Sequence, residues 1–307
     1  MNISHYRLIY AAYFAPRGVV RMADLGSQIA QRHLNPFDKL IGVVGEAGSG
    51  KSMIVKGMFP GLEMTNDDNG VNVRPLPLLD IEEESIFYSP HTYHVDIRFE
   101  MAFTQIFALA QAIMAAVNKG KRVVVEHFEL VRPYLSRNAD LLIGVGEEII
   151  VTRPNIFGPE PQELADTVFK SIKYRKMAHT AEDLTERQLF EKYRDKYVHG
   201  DVHRGFILHF PEKPDLDIQK IEQYVKTRIA DNIPVSFKDE THIMFGEKVH
   251  FCTGPRTHVK NTGEIEGFRL LPDYFYDPIT QSYMLVGRVG VENDKPLDYS
   301  RLNTFEL

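Results

Sequence analysis

Gly45, Gly50, Lys51 and Ser52 stand at the spacing G-x-x-x-x-G-K-S within the run Gly45-Glu46-Ala47-Gly48-Ser49-Gly50-Lys51-Ser52. That spacing does phosphate chemistry when an apolar strand precedes it and a helix follows. The glycines let the backbone curl so that its N–H groups face a β-phosphate, and the helix N-terminus adds partial positive charge. Lys51 is then expected to bridge the β- and γ-phosphates, and Ser52 to offer its hydroxyl to Mg²⁺. Gly45, Gly48, Ser49, Gly50, Lys51 and Ser52 thus form the expected cradle for ATP or GTP with Mg²⁺.

The flanking sequence supplies the required elements. Leu40-Ile41-Gly42-Val43-Val44 is a continuous apolar run, as expected of a strand buried on both faces. Met53 to Phe59 reads as the helix that follows. Val71 to Leu79 alternates loosely and reads as a second strand ending at Asp80, and Phe99 to Val117 as a long helix. Arg122–Glu126, Leu141–Val145 and Ile149–Val151 read as further strands. This rhythm predicts an α/β phosphate-loop domain over 1–153, a parallel sheet with helices on both faces. Residues 1–36 read as a helical N-terminal extension of two short helices. The proline-rich segment Pro154–Pro161 breaks the rhythm and marks a boundary. Beyond it a helix over 162–195, a hairpin near 198–210, a helix over 215–231 and short strands predict an α+β domain over 163–290, with a tail at 291–307.

Around the loop, Gly-Ser-Gly-Lys-Ser before a short helix resembles the uridine kinase and phosphoribulokinase group. Ser89-Pro90-His91-Thr92-Tyr93-His94-Val95-Asp96 is similar to the HP-x-x-x-D stretch that leads into a helix there, and Val123-Val124-Val125-Glu126 to the strand those kinases carry. The resemblance covers roughly 40–145. It implies phosphoryl transfer to a small-molecule hydroxyl, with an aspartate as base. Asp80 is the best-placed match, Asp67 and Asp68 compete with it, and a helix cap or loop carboxylate is the plainer reading of Asp80. Glu126 ends its strand where an acid reaches the metal through water. His94 and His127 read as substrate contacts or, more plainly, as ordinary loop or partly buried histidines.

A second constellation lies in the other half. Cys252-Thr253-Gly254-Pro255-Arg256-Thr257-His258-Val259-Lys260-Asn261-Thr262-Gly263-Glu264-Ile265 resembles the signature of the alanyl-tRNA synthetase editing module, its second additional domain. Arg175–Ala181, Ile229–Val235 and Phe245–Lys248 are similar to earlier segments of that module in the same order, so the resemblance spans about 173–275. It implies a zinc site made by two histidines one helical turn apart and a Cys-x₃-His loop. His179, Asp183, Cys252 and His258 occupy the four positions. Asp183 stands for the second histidine, and the loop is longer by two residues, so either an altered zinc site or a metal-free scaffold follows. His199 and His203 form an alternative pair, although Gly200 and its β-branched neighbours favour a hairpin there. The resemblance also implies tRNA as partner and aminoacyl-ester hydrolysis as a second reading, with a nucleotide-dependent module without chemistry as a third.

Composition sets outer bounds. With 43% hydrophobic and 25% charged residues over 307 positions, the chain can bury a full core. A net charge of -6 argues against nucleic-acid binding by bulk charge, and Lys170–Lys176 is a modest basic cluster at most. The single cysteine excludes an intrachain disulfide, and no leader or membrane-length apolar run is visible, so a cytoplasmic protein without membrane contact is expected.

Overall fold

The computed structural model describes residues 10–65, 76–80, 91–291 and 302–303. The chain divides into two compact units. One takes Met1–Tyr13 and Met22–Phe169, the other Phe14–Arg21 and Lys170–Leu307. The boundary expected over 154–162 lies just before this division, which falls inside a helix running from Pro161 to Glu186. The second unit also claims Phe14–Arg21, which the sequence reading gave to the first domain.

In the first unit, most of β1 (Ala11–Phe14) and of α1 (Val19–His33, from Met22 on) precedes β2 (Leu40–Gly45) and α2 (Lys51–Met58). There follow β3 (Thr92–Asp96), α3 (Ile97–Glu100), α4 (Ile106–Asn118), β4 (Arg122–Glu126), α5 (Phe128–Val131), β5 (Leu141–Val145), β6 (Glu148–Thr152) and the start of α6 (Pro161–Glu186). The strands form one sheet in the order β1-β6-β5-β2-β4-β3. β2 pairs parallel with β4 and β5, and β3 pairs parallel with β4. Every residue of β2, β5 and β6 is buried. Leu40, Val44, Val123, Val125 and Leu142 share a core with Leu109 and Ile113 of α4 and Leu164 and Val168 of α6. The alternate residues Ile41, Val43, Val124 and Ile143 are equally excluded from solvent. Each such burial contributes about 1.5–3 kcal/mol, and the two covered faces account for the near-continuous apolar runs.

Several expectations change. The sheet is mixed rather than parallel, because β6 pairs antiparallel with β5. Only Gly146 and Glu147 separate those strands, a hairpin length that cannot carry a parallel crossover. Among the described residues, the N-terminal extension contributes a strand and one helix where two helices were expected. Of the stretch Ser89–Asp96, Ser89 and Pro90 lie outside the described residues; Thr92–Asp96 is the strand β3, and the Asp96 side chain accepts from Phe99 N at 3.1 Å to cap the single turn α3 rather than the long helix. The helix expected over Phe99–Val117 therefore starts at Ile106. Residues 71–75 of the expected second strand lie outside the described residues, as do Asp67 and Asp68. Pro77–Asp80 is a 3-10 turn, so Asp80 ends a turn and not a strand.

The second unit is α+β, as expected. Its elements are the rest of α6, α7 (Phe190–Tyr193), β7 (Val198–Val202), β8 (Gly205–Phe210), α8 (Ile218–Ala230), β9 (Val235–Asp239), β10 (His242–Phe245) and β11 (Lys248–Phe251). β12 (Arg269–Leu270), β13 (Phe275–Asp277) and β14 (Ser282–Arg288) complete it. One sheet runs β12-β14-β8-β7 with β13 on β14, and a three-stranded sheet runs β11-β10-β9. His199 lies on β7 and His203 in the β7–β8 turn, the hairpin that the β-branched pattern favoured over a helix. Met177, Ala181 and Leu184 of α6 pack with Phe206, Leu208, Val225, Ile243 and Cys252 in its core. Among the described residues no helix is long and apolar enough to cross a membrane.

Candidate functional site

The loop between β2 and α2 has the backbone that its glycines allow. Gly45, Gly48 and Gly50 take φ of 155°, 76° and 96°. At Gly45 an added Cβ would lie 2.7 Å from the Val145 carbonyl, and at Gly50 2.6 Å from Met22 Cε, so close packing adds to the conformational demand. Gly50 opens α2, whose first amides have no acceptor inside the helix. Ser49 is buried in the loop. Lys51 is buried and donates from Nζ to the Glu46 carbonyl at 2.9 Å, across the loop's own mouth.

Glu126, at the end of β4, faces this lysine. Its Oε2 is 4.0 Å from Lys51 Nζ, its Oε1 is 3.2 Å from His94 Nε2, and it accepts from the Ser52 hydroxyl. Burial alone pushes the Glu126 carboxyl up, but His94, Lys51 and Ser52 outweigh it and hold the group below its ordinary value. For Lys51 burial wins. Its pKa lies below the ordinary lysine value although the Glu126, Asp96 and Glu129 carboxylates oppose the shift.

Parallel pairing brings these groups together. β4 lies beside β2, so an acid ending β4 sits at the level of the loop that leaves β2, and β3 places His94 and Asp96 alongside. His94 also holds Thr65, whose backbone N–H donates to its Nδ1 at 3.1 Å. Sequence reading found Glu126 and set His94 aside as ordinary. It missed Asp96 as an acid facing the lysine; the two-residue spacing of His94 and Asp96, one face of a strand, was the available signal. His127 leaves β4 at φ 56° and pairs with Glu129 at 3.3 Å. Ser52 and Glu126 are a donor set that suits Mg²⁺, an oxygen-seeking ion commonly held by one or two protein oxygens and substrate phosphates.

In the second unit, Asp183, Cys252 and His258 each offer a ligand atom within 4.8 Å of one another. His258 Nε2 is 2.8 Å from Asp183 Oδ2 and 3.8 Å from Cys252 Sγ. His179, the fourth expected ligand, turns to Thr257, with Nδ1 2.9 Å from Oγ1. Since Thr257 gives its hydroxyl proton to the Gly254 carbonyl at 3.0 Å, His179 Nδ1 is the donor of that bond. Burial first, then the Arg175 and Arg17 charges, hold His179 well below the ordinary histidine value.

The centre of the cluster is taken by Arg17. Its Nη1 donates to Glu182 Oε2 at 2.7 Å, and its Nη2 donates to Asp183 Oδ1 and, at 3.2 Å, to Cys252 Sγ. Two of the three grouped donors are therefore already satisfied by a guanidinium, and His258 Nε2 spends its proton on Asp183. A zinc ion needs free lone pairs at about 2.0–2.3 Å from all of them, so these residues do not fit one as they stand. No sequence signal linked Arg17 to this cluster, more than 160 positions away in the chain.

No family model matches the chain, and no curated protein does. Among solved structures, the Bacillus protein YdiB is similar at 17% identity, with 54% of this chain and 98% of that one covered and a TM-score of 0.28. The ornithine aminotransferase of Toxoplasma gondii gives 10% identity, coverage of 82% and 68%, and a TM-score of 0.24. An aminotransferase of Eubacterium rectale gives 12%, 80% and 69%, and again 0.24. Similarities this distant assign neither fold nor activity, and the functional reading rests on the sites themselves.

Proposed function

We propose that the first unit binds ATP or GTP with Mg²⁺ and transfers the γ-phosphoryl group to a small-molecule hydroxyl. The observation that carries this reading is the convergence of Lys51, Ser52 and Glu126 on a loop whose three glycines take positive φ. Loop amides and the α2 N-terminus supply donors for the phosphates, and Lys51 supplies a charge free to leave the Glu46 carbonyl for a phosphate oxygen. Ser52 is the residue to hold Mg²⁺ directly, with Glu126 behind it. The ion's contribution, when bound, is to neutralise charge on the phosphate oxygens.

The chain's own residues then divide the work. In-line transfer forms a bond from the acceptor oxygen to phosphorus and breaks the bond from phosphorus to the bridging oxygen of the diphosphate. The acceptor's proton needs an acid to receive it. Glu126 and Asp96 face Lys51 and are candidates for that role beside Asp80. His94 orients Glu126 through the 3.2 Å bond.

Equilibrium binding of ATP and GTP to the full chain, with and without Mg²⁺, tests the cradle. A screen of hydroxyl-bearing small molecules for stimulated turnover tests the transfer. Nucleotide binding that survives Lys51→Ala unchanged would refute the cradle, and binding without stimulated turnover would leave a nucleotide-dependent module in place of a phosphotransferase.

A further inference from the structure

We infer that the resident cation of the second unit's cluster is the Arg17 guanidinium, and that this unit holds an internal arginine where the resemblance implies a zinc ion. Arg17 is 3% exposed and meets three carboxylates of one helix, Glu182 at 2.7 Å, Asp183, and Glu186 at 3.9 Å, together with the Cys252 sulfur at 3.2 Å. A planar guanidinium with five N–H donors suits carboxylates and needs no deprotonated thiol or imidazole lone pair. A zinc ion needs the opposite set. With Nη2 bonded to both Asp183 and Cys252, a metal would have to displace the guanidinium to take those two donors together.

Both departures from the implied zinc pattern follow from this one substitution of cation. The helix position one turn after His179 carries Asp183, an anion that pairs with a guanidinium where a histidine would not. The lengthened Cys252–His258 loop accommodates the segment that delivers it. A Cβ on Gly254 would stand 3.4 Å from Gly18 N and 3.5 Å from Arg17 Cγ, and a Cβ on Gly18 would stand 3.2 Å from Thr253 Oγ1. Thr253 and Gly254 therefore lie directly on the Arg17-Gly18 backbone. The segment is fastened on its other side by Arg175, whose Nη2 donates to the Pro16 carbonyl at 3.3 Å, and by the Arg21–Asp201 ion pair. Glu186 Oε1, buried and without a hydrogen-bond partner, faces the same guanidinium and His199.

The test uses the full-length protein, purified without chelator. Elemental analysis is expected to find zinc far below one per chain. Added Co²⁺ is expected to give no thiolate charge-transfer band, and a chelator to leave Tm unchanged. Arg17→Ala is expected to lower Tm by several degrees. Arg17→Lys, which keeps the charge and loses the fork, is expected to fold and lie between the two, so the argument survives if the alanine variant fails to fold. Zinc at one per chain in the wild type would overturn the inference. So would a cobalt–thiolate band lost in Cys252→Ser, or a Tm unmoved by Arg17→Ala. These readouts do not depend on nucleotide binding by the first unit.

Discussion

Lys51 Nζ lies 4.0 Å from a carboxylate oxygen of Glu126, and both side chains are buried. A buried cation and anion at that separation hold one another in the charged state, but the lysine is also desolvated, which pulls it the other way. The loop is thus crossed by an ammonium held between Glu126 and the Glu46 carbonyl.

Replacing Lys51 by alanine is expected to weaken ATP or GTP binding by roughly 10- to 100-fold, the size of one charge-assisted bond of about 1.5–3 kcal/mol. Titration calorimetry reads this directly. An unchanged Kd would show that the lysine does not reach the nucleotide.

Glu126→Gln keeps the shape of the side chain and removes its charge. Nucleotide affinity is expected to change little, while turnover is expected to fall by about 10²–10⁴-fold if Glu126 accepts the proton. A comparison with Asp96→Asn at saturating Mg²⁺ assigns the role, since a loss that excess Mg²⁺ does not relieve belongs to the acid that takes the proton. Equal, small effects in both variants would place the base elsewhere.

Gly50→Ala tests the loop backbone. A side chain at φ 96° costs about 1–2 kcal/mol, and the added carbon must also displace Met22 Cε. A lower midpoint of denaturant unfolding with an unchanged slope is expected, together with weaker nucleotide binding. Gly61, also at positive φ but with open space around its virtual Cβ, serves as the control.

The cluster around Arg17 predicts a stability maximum near neutral pH. His250 and His258 are pushed down to about 3, by burial first and then by the Arg17 charge, even though His258 touches the Asp183 carboxylate that Arg17 neutralises. Histidines depressed in the folded state give stability that is present above about 6.5 and is lost as pH falls below it. Glu186 is pushed up to about 8 by burial, Arg17 opposing and Glu182 adding. A carboxyl raised in this way gives stability that is full below its unfolded value of 4.5 and declines as pH rises toward 8. Between 4.5 and 6.5 the depressed histidines, His179 together with His250 and His258, outweigh the one raised carboxyl. Above 6.5 Glu186 is the group of this cluster that acts, at a limiting slope near 1.4 kcal/mol per pH unit. Urea unfolding from pH 5 to 8.5 is expected to show the maximum near 6.5, and Glu186→Gln to flatten its alkaline side. A wild-type curve that keeps rising to pH 8.5 would contradict the assignment.

The amino-acid sequence alone determined the glycine-bearing loop between β2 and α2, because it sits in eight consecutive residues whose strand and helix are local and strongly patterned. It also determined the buried strands, since Leu40–Val44, Val123–Val125 and Leu141–Val145 have no polar face to show to water. The β7–β8 hairpin was legible from Gly200 and its β-branched neighbours. Tertiary structure decided the rest. The direction of β6 depended on a two-residue connection that the rhythm of strands and helices hid, and the strand at Thr92–Asp96 on its pairing with β4. His94, Asp96 and Glu126 became one site only through parallel register, which sets distant residues level with each other. Most of all, the fate of His179, Asp183, Cys252 and His258 rested on Arg17. Local spacing predicts which donors can share a metal, but only packing shows which cation has already been placed among them.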